Sequence, residues 1–186
     1  MSNSRPKIER PDKFEHYLNR AEVASERSTC LRRKIGAIVV SNDGVELSSG
    51  YVGSPRTTAH CIDTGTCLRK ELNIPPGERY ELCRSVHAEQ NAIVNAARTG
   101  ISIVDGEMYI ASERIKGAYD ASRGENDRIY GPCMICKKQI INSGIVRVHM
   151  REKGVGVKSY DVKELKELLA QEEQEIKRSL RSATRP

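Results

Sequence analysis

The sequence predicts an α/β layered domain, and three observations carry that prediction. Short apolar runs bounded by turn residues alternate with longer stretches of helical spacing. The first two strand-like runs flank Asn42-Asp43-Gly44, a hairpin turn. Helix starts and stops are marked by capping residues, a proline and glycines.

Taken in order, residues 1–11 hold two prolines and several charges and read as a flexible N-terminal arm. Asp12 can cap a helix that runs through Phe14, Leu18, Ala21 and Val23. Residues 34–40 (K-I-G-A-I-V-V) form a buried-strand run, and 45–51 return as its hairpin partner. Residues 53–80 are rich in Pro, Gly and Cys with little periodicity, a loop long enough to need a functional reason or a local staple. Residues 87–98 read as a helix with Ala88, Ile93, Ala96 and Ala97 as its apolar positions and Gly100 as its stop. Residues 107–111 form a strand, and 113–131 a polar inserted loop.

Pro132 suits the first position of the next helix, which continues through Ile135, Ile140 and Ile141 to the Asn142-Ser143-Gly144 stop. Residues 145–150 are a further strand. A charged helix follows from Asp161 to about Leu180, with Leu165, Leu168, Leu169 and Ile176 as its stripe. Residues 12–180 therefore form a single domain, and 181–186 a frayed basic tail.

At 186 residues the chain can bury a substantial core. Its hydrophobic content of 38% and charged content of 30% are those of a globular domain. No apolar run approaches the roughly 20 residues of a membrane helix, and residues 1–10 lack the apolar core of a signal peptide. A cytoplasmic location is expected, with no membrane partner. The net charge of +6 fits an anionic small molecule. With no Trp, one Phe and seven Tyr, stacking platforms for single-stranded nucleic acid are scarce, which argues against a nucleic-acid partner.

The chemistry concentrates in a split pattern: His87-Ala88-Glu89 and, downstream, Pro132-Cys133-Met134-Ile135-Cys136. One imidazole and two thiolates are three ligands, the set that leaves a tetrahedral zinc with one open position. Both halves fall at predicted helix starts, where free N–H groups and the helix dipole favour thiolates. Cys133 and Cys136, three residues apart on one helix, face the same side. Glu89 is left free to move protons. A lone C-x-x-C fits structural zinc or redox chemistry equally well. A closed structural site would need a fourth ligand, however, and a redox pair would leave His87 and Glu89 without a role.

The pattern resembles the H-x-E…P-C-x-x-C signature of zinc-dependent nucleobase deaminases. Residues 28–37 (S-T-C-L-R-R-K-I-G-A), 50–55 (G-Y-V-G-S-P), His60-Cys61, 77–83 (G-E-R-Y-E-L-C) and 87–93 (H-A-E-Q-N-A-I) extend the likeness. Over about residues 14–150 the chain resembles the cytidine and deoxycytidylate (dCMP) deaminase superfamily. Within it, the chain looks most like the bacterial branch, including the type encoded beside competence genes.

The resemblance implies a three-layer cytidine-deaminase-like domain with a five-stranded mixed sheet flanked by helices. It implies hydrolysis of dCMP to dUMP with release of ammonia, in the service of nucleotide biosynthesis and thymidylate supply. Zinc hydroxide, formed with the help of Glu89, would attack C4 of the cytosine. It further implies a homo-oligomer, often a hexamer, and allosteric control by dCTP and dTTP. Two positions depart from the usual pattern: Val52 stands where Asn is usual, and Ala111, followed by the insert, where a Thr often leads quickly into Pro-Cys. Other or modified pyrimidine nucleotides, tRNA or single-stranded DNA, and a non-enzymatic binding module stand as alternatives.

Of the 6 cysteines, Cys30, Cys61, Cys67 and Cys83 lie outside the pattern. Four thiols fit a second, structural zinc that would pin the long loop. Phage relatives, by the same resemblance, carry a second zinc near the places of Cys30 and Cys61. His60 could replace one thiol, and buried unliganded thiols are the alternative. A 5′-phosphate needs cationic or N–H donors, for which Arg32, Arg33, Lys34 and Arg56 are candidates, with Ser28 in support. Tyr130 is a candidate to stack on the base. Arg98 is placed to reach a subunit interface or a regulatory nucleotide. His16 and His149 have no evident ligand partner.

Overall fold

A computed structural model describes residues 10–75, 79–115 and 131–183, with Arg114 and residues 179–183 at the level of the backbone. Five strands form one mixed sheet in the order β2-β1-β3-β4-β5. They are β1 (Arg33–Val40), β2 (Glu46–Tyr51), β3 (Glu107–Arg114), β4 (Arg147–Glu152) and β5 (Gly156–Asp161). Strands β3 and β4 run parallel, and the other neighbours are antiparallel. Helices α1 (Lys13–Ser25), α4 (Ala88–Thr99), α5 (Met134–Asn142) and α6 (Val162–Ala183) flank the sheet, and two one-turn helices, α2 (Cys61–Thr64) and α3 (Leu68–Glu71), sit in the long loop.

The pleat sorts the two faces. On β1, Ala37 and Val39 join the cluster beneath α4, α5 and α6, while Ile38 and Val40 join Leu18 and Ala21 of α1. On β3, Met108 and Ile110 take the first face, and Tyr109 and Ala111 the second. Leu18 is fully buried, and burial of such a side chain contributes about 1.5–3 kcal/mol. Helix α1 begins as expected: the Asp12 carboxylate accepts from the Glu15 N–H at 2.7 Å, a cap worth about 1 kcal/mol. Close approach sets the positions of the helices. A Cβ on Gly36 would lie 2.2 Å from the Ala21 carbonyl oxygen of α1, and one on Gly50 would lie 2.3 Å from the Ala92 nitrogen of α4.

Several expected boundaries move. The expected loop at 113–131 begins later, because Glu113 and Arg114 continue β3 and pair with Lys34 and Arg33 of β1. Residues 116–130 of that loop lie outside the described residues. The loop at 53–80 contains α2 and α3, whose single turns are too short for helical periodicity to show in the sequence. Strand β5 exposes every residue except Tyr160, so it carries no apolar alternation; backbone pairing to β4 alone makes it a strand. Pro132 stands outside its helix, since Cys133 in extended backbone is the N-cap. Helix α6 continues to Ala183, past the expected end and into the expected frayed tail. No glycine or proline interrupts it before Pro186. Among the described residues, no helix is long and apolar enough to cross a membrane.

Candidate active site

The pattern residues are placed by the starts of two helices that share one face of the sheet. His87 is the N-cap of α4, with its backbone N–H donating to the Gln90 side-chain oxygen at 3.0 Å. Cys133 is the N-cap of α5, and Cys136 lies one turn inside that helix. Strand β2 ties α4 down: Ser48 Oγ donates to the Ala92 carbonyl at 3.0 Å, Asn91 Nδ2 to the Tyr51 carbonyl at 2.7 Å, and Asn95 Nδ2 to the Ser49 carbonyl at 2.7 Å. A two-way backbone bridge between Gly53 and Val86 then fixes the approach to His87.

This scaffold brings His87 Nδ1 to 3.3 Å from both Cys133 Sγ and Cys136 Sγ. The three ligand atoms lie within 4.8 Å of one another, the single such group of three among the described residues. Ligands around a tetrahedral zinc, bound at about 2.0–2.3 Å, stand roughly 3.3–3.8 Å apart. The donor set and its spacing therefore fit zinc. Three protein ligands also leave the fourth position for water or substrate.

The charges interlock. Cys133 is held down to about 4 by the hydrogen bond from the Cys136 thiol and by the His87 imidazolium, against the effect of burial. Cys136 is pushed up by the hydrogen bond its thiol donates to Cys133 and by burial. The bond to Cys133 raises His87, with Glu89 adding to it and burial opposing it. A bound divalent cation would draw both thiols to thiolates. Glu89, 6% exposed, is raised chiefly by burial, while the positive His87 pulls it back. A carboxyl raised by burial holds a proton more readily than an exposed one, which suits a group that takes up and returns one.

The remaining candidates are distributed differently. Cys61 is buried, and Cys30, Cys67 and Cys83 are half-buried. Burial raises the Cys61 thiol, and the nearby Cys30, Cys67 and Cys83 add to the rise. These four are neighbours without the mutual spacing of the first group. His60 Nδ1 lies 3.2 Å from Thr29 Oγ1. The Ser28 hydroxyl joins β1: it donates to the Ile35 carbonyl and accepts from the Ile35 N–H. Arg56 donates to Asn95 at 2.8 Å on the surface, and Arg33 faces Glu152 at 3.8 Å. Lys34 is exposed and Arg32 half-buried. Val52 is buried, and its backbone bonds to Thr29 and Ile35. Tyr130 lies outside the described residues.

Sequence reasoning missed Tyr80 and Arg69. The Tyr80 ring stands perpendicular to His87, with centroids 5.9 Å apart, and the Arg69 guanidinium lies over Tyr80 at 4.6 Å. Such a cation–π contact is worth about 0.5–2 kcal/mol. Both residues belong to the irregular segment, where no periodicity signals a side chain's direction.

Comparison with known proteins bears on this geometry. The family model described as "Cytidine and deoxycytidylate deaminase zinc-binding region" matches residues 11–152. The chain is 32% identical over 146 residues to the deoxycytidylate deaminase of Mycobacterium phage D29, covering 76% of this chain and 95% of that one. It is 28% identical over 145 residues to ComE operon protein 2 of Bacillus subtilis, covering 78% of this chain and 62% of that one. Among solved structures, the dCMP deaminase of cyanophage S-TIM5, seen apo and with dCMP and dUMP, superposes with a TM-score of 0.54 at 27% identity. That match covers 88% of this chain and 94% of the other.

Proposed function

Because the chain belongs to the zinc-binding family of cytidine and deoxycytidylate deaminases, we propose that it hydrolyses dCMP and water to dUMP and ammonia. One observation carries the reading: His87, Cys133 and Cys136 converge at 3.3 Å beside the buried Glu89. The phage relatives named as dCMP deaminases, one of them crystallised with dCMP and dUMP, support the choice of substrate.

Held by His87, Cys133 and Cys136, zinc supplies Lewis acidity that brings the pKa of water from about 16 toward 7. Glu89 takes the proton of the attacking water, delivers it to ring N3 and later assists the departing ammonia. Burial keeps bulk water from competing for that proton and raises the affinity of the carboxyl for it. Glu89→Ala is expected to lower kcat by about 10²–10⁴-fold, and turnover at the wild-type rate would refute this role. A panel of dCMP, CMP, deoxycytidine and dCTP, each with and without dCTP or dTTP as effector, tests the substrate. Deoxycytidine turned over as well as dCMP would sink the nucleotide reading. Val52, an apolar side chain where the family usually has Asn, favours a second reading, a modified pyrimidine nucleotide, which belongs in the same panel.

The reading also includes a second zinc held by Cys30, Cys61, Cys67 and Cys83, supported by the electrostatic contact of the other three thiols with Cys61. Metal analysis of fully loaded protein should give two zinc ions per chain, one of them lost in Cys67→Ser. One ion in both would exclude it.

A further inference from the structure

The Gln90 side chain anchors the His87 backbone but leaves its ring orientation unexplained. Histidine χ2 is a broad, roughly two-fold torsion. A half-turn about it would replace Nδ1 by a carbon and remove the ligand. Against this ring stands Tyr80, perpendicular at 89° with centroids 5.9 Å apart. Tyr80 in turn lies under the Arg69 guanidinium at 4.6 Å. Arg69 is itself only 5% exposed, and its Nη2 donates to the Pro75 carbonyl at 2.7 Å. A charge so deeply buried is disfavoured unless neighbours hold it, and here its planar group is placed on an aromatic ring beside the candidate metal ligand.

We propose that Arg69 and Tyr80 are positioning residues for the metal centre: Arg69 holds the Tyr80 ring, and Tyr80 holds His87 with Nδ1 toward the two thiols. The inference rests on the assignment of His87 as a zinc ligand. It also gives the cysteine-rich loop a task. Cys67 caps the helix that carries Arg69, and Cys83 follows the short helical turn that carries Tyr80. Order in this loop thus reaches the metal centre through two side chains.

The test uses the full-length, zinc-loaded protein and measures the rate of zinc transfer to a chromogenic chelator, together with kcat and KM for dCMP. A Cys133→Ser/Cys136→Ser variant identifies which release phase belongs to this site. Tyr80→Leu and Arg69→Met should release that zinc about 10-fold faster, the lower end for partners that orient a metal ligand. Both should lower kcat with little change in KM, and Tyr80→Phe, which keeps the ring, should behave as wild type. Wild-type release from Tyr80→Leu would overturn the proposal, as would a raised KM at unchanged kcat. Should Arg69→Met fail to fold, the half-exposed Tyr80→Leu decides the matter. A wild-type protein with no release phase dependent on Cys133 and Cys136 would overturn the zinc assignment as well, which separates the two failures.

Discussion

His87, Cys133 and Cys136 sit at the starts of two helices packed on a sheet, whereas Cys30, Cys61, Cys67 and Cys83 sit in loop segments and one-turn helices. In the first region His87 Nδ1 stands 3.3 Å from each of the two sulfurs. In the second, no three of the thiols lie within 4.8 Å of one another. The difference lies in what fixes the backbone. Hydrogen bonds from Ser48, Asn91 and Asn95, and the close passage of Gly50, hold α4 against β2. The loop has few buried apolar anchors: among the described residues between 54 and 83, Cys61 is the one apolar side chain that belongs to the buried core. The first region is fixed by its own hydrogen bonds and packing; the proposed second zinc would cross-link the other.

That contrast can be broken most forcefully at Cys136. Cys136→Ser should abolish measurable deamination and remove one zinc while leaving circular dichroism near wild type, because the scaffold does not depend on the ion. Loss of helical signal along with activity would mean that the metal organises this region too. Next in size is Gly50→Ala, which touches no ligand. Its Cβ would press on the α4 backbone, an overpacking of about 1–3 kcal/mol. For a chain of this size each kcal/mol lowers Tm by about 2–4 °C. A calorimetric Tm within one degree of wild type would show that α4 is free to move.

Chelation should act on the other region. Trypsin should cut metal-free protein faster at Arg56, Arg69 and Arg84 than loaded protein, with α4 and α5 cut at unchanged rates. Equal protection of the loop in both forms, read by mass spectrometry, would remove the proposed cross-link. The smallest effect belongs to neither region and serves as a control. Burial lowers His149 below its ordinary 6.5, with Glu107 only partly opposing. Between the folded value and 6.5 the unfolded chain binds a proton that the folded chain does not, so stability falls as pH falls through that window. Denaturant titrations from pH 7 to 5 should show this slope, and His149→Gln should flatten it; identical slopes would refute the assignment.

The legible parts of the fold were those where local signals and tertiary packing agree. Asp12 caps α1, Gly100 ends α4 in left-handed backbone, and the apolar run at 34–40 falls within β1. Strand β5 was illegible because an edge strand with one buried residue is defined by its partner's backbone. The start of α5 shifted because proline can stand just before an N-cap as well as just after one. Tyr80 was illegible for a stronger reason: its place depends on where an irregular segment lands, and no periodicity records that.

Residue types and their spacing by themselves picked out the candidate donor set, the proposed proton carrier and the α/β character of the chain. These follow from the chemistry of His, Cys and Glu and from local backbone preferences. Only the tertiary structure decided that Nδ1 is the His87 atom facing both thiols, that Glu89 is buried, and that Arg69 and Tyr80 stand behind the ligand. Each of these depends on a distance between residues far apart in the chain, and such distances are set by how the helices pack on the sheet.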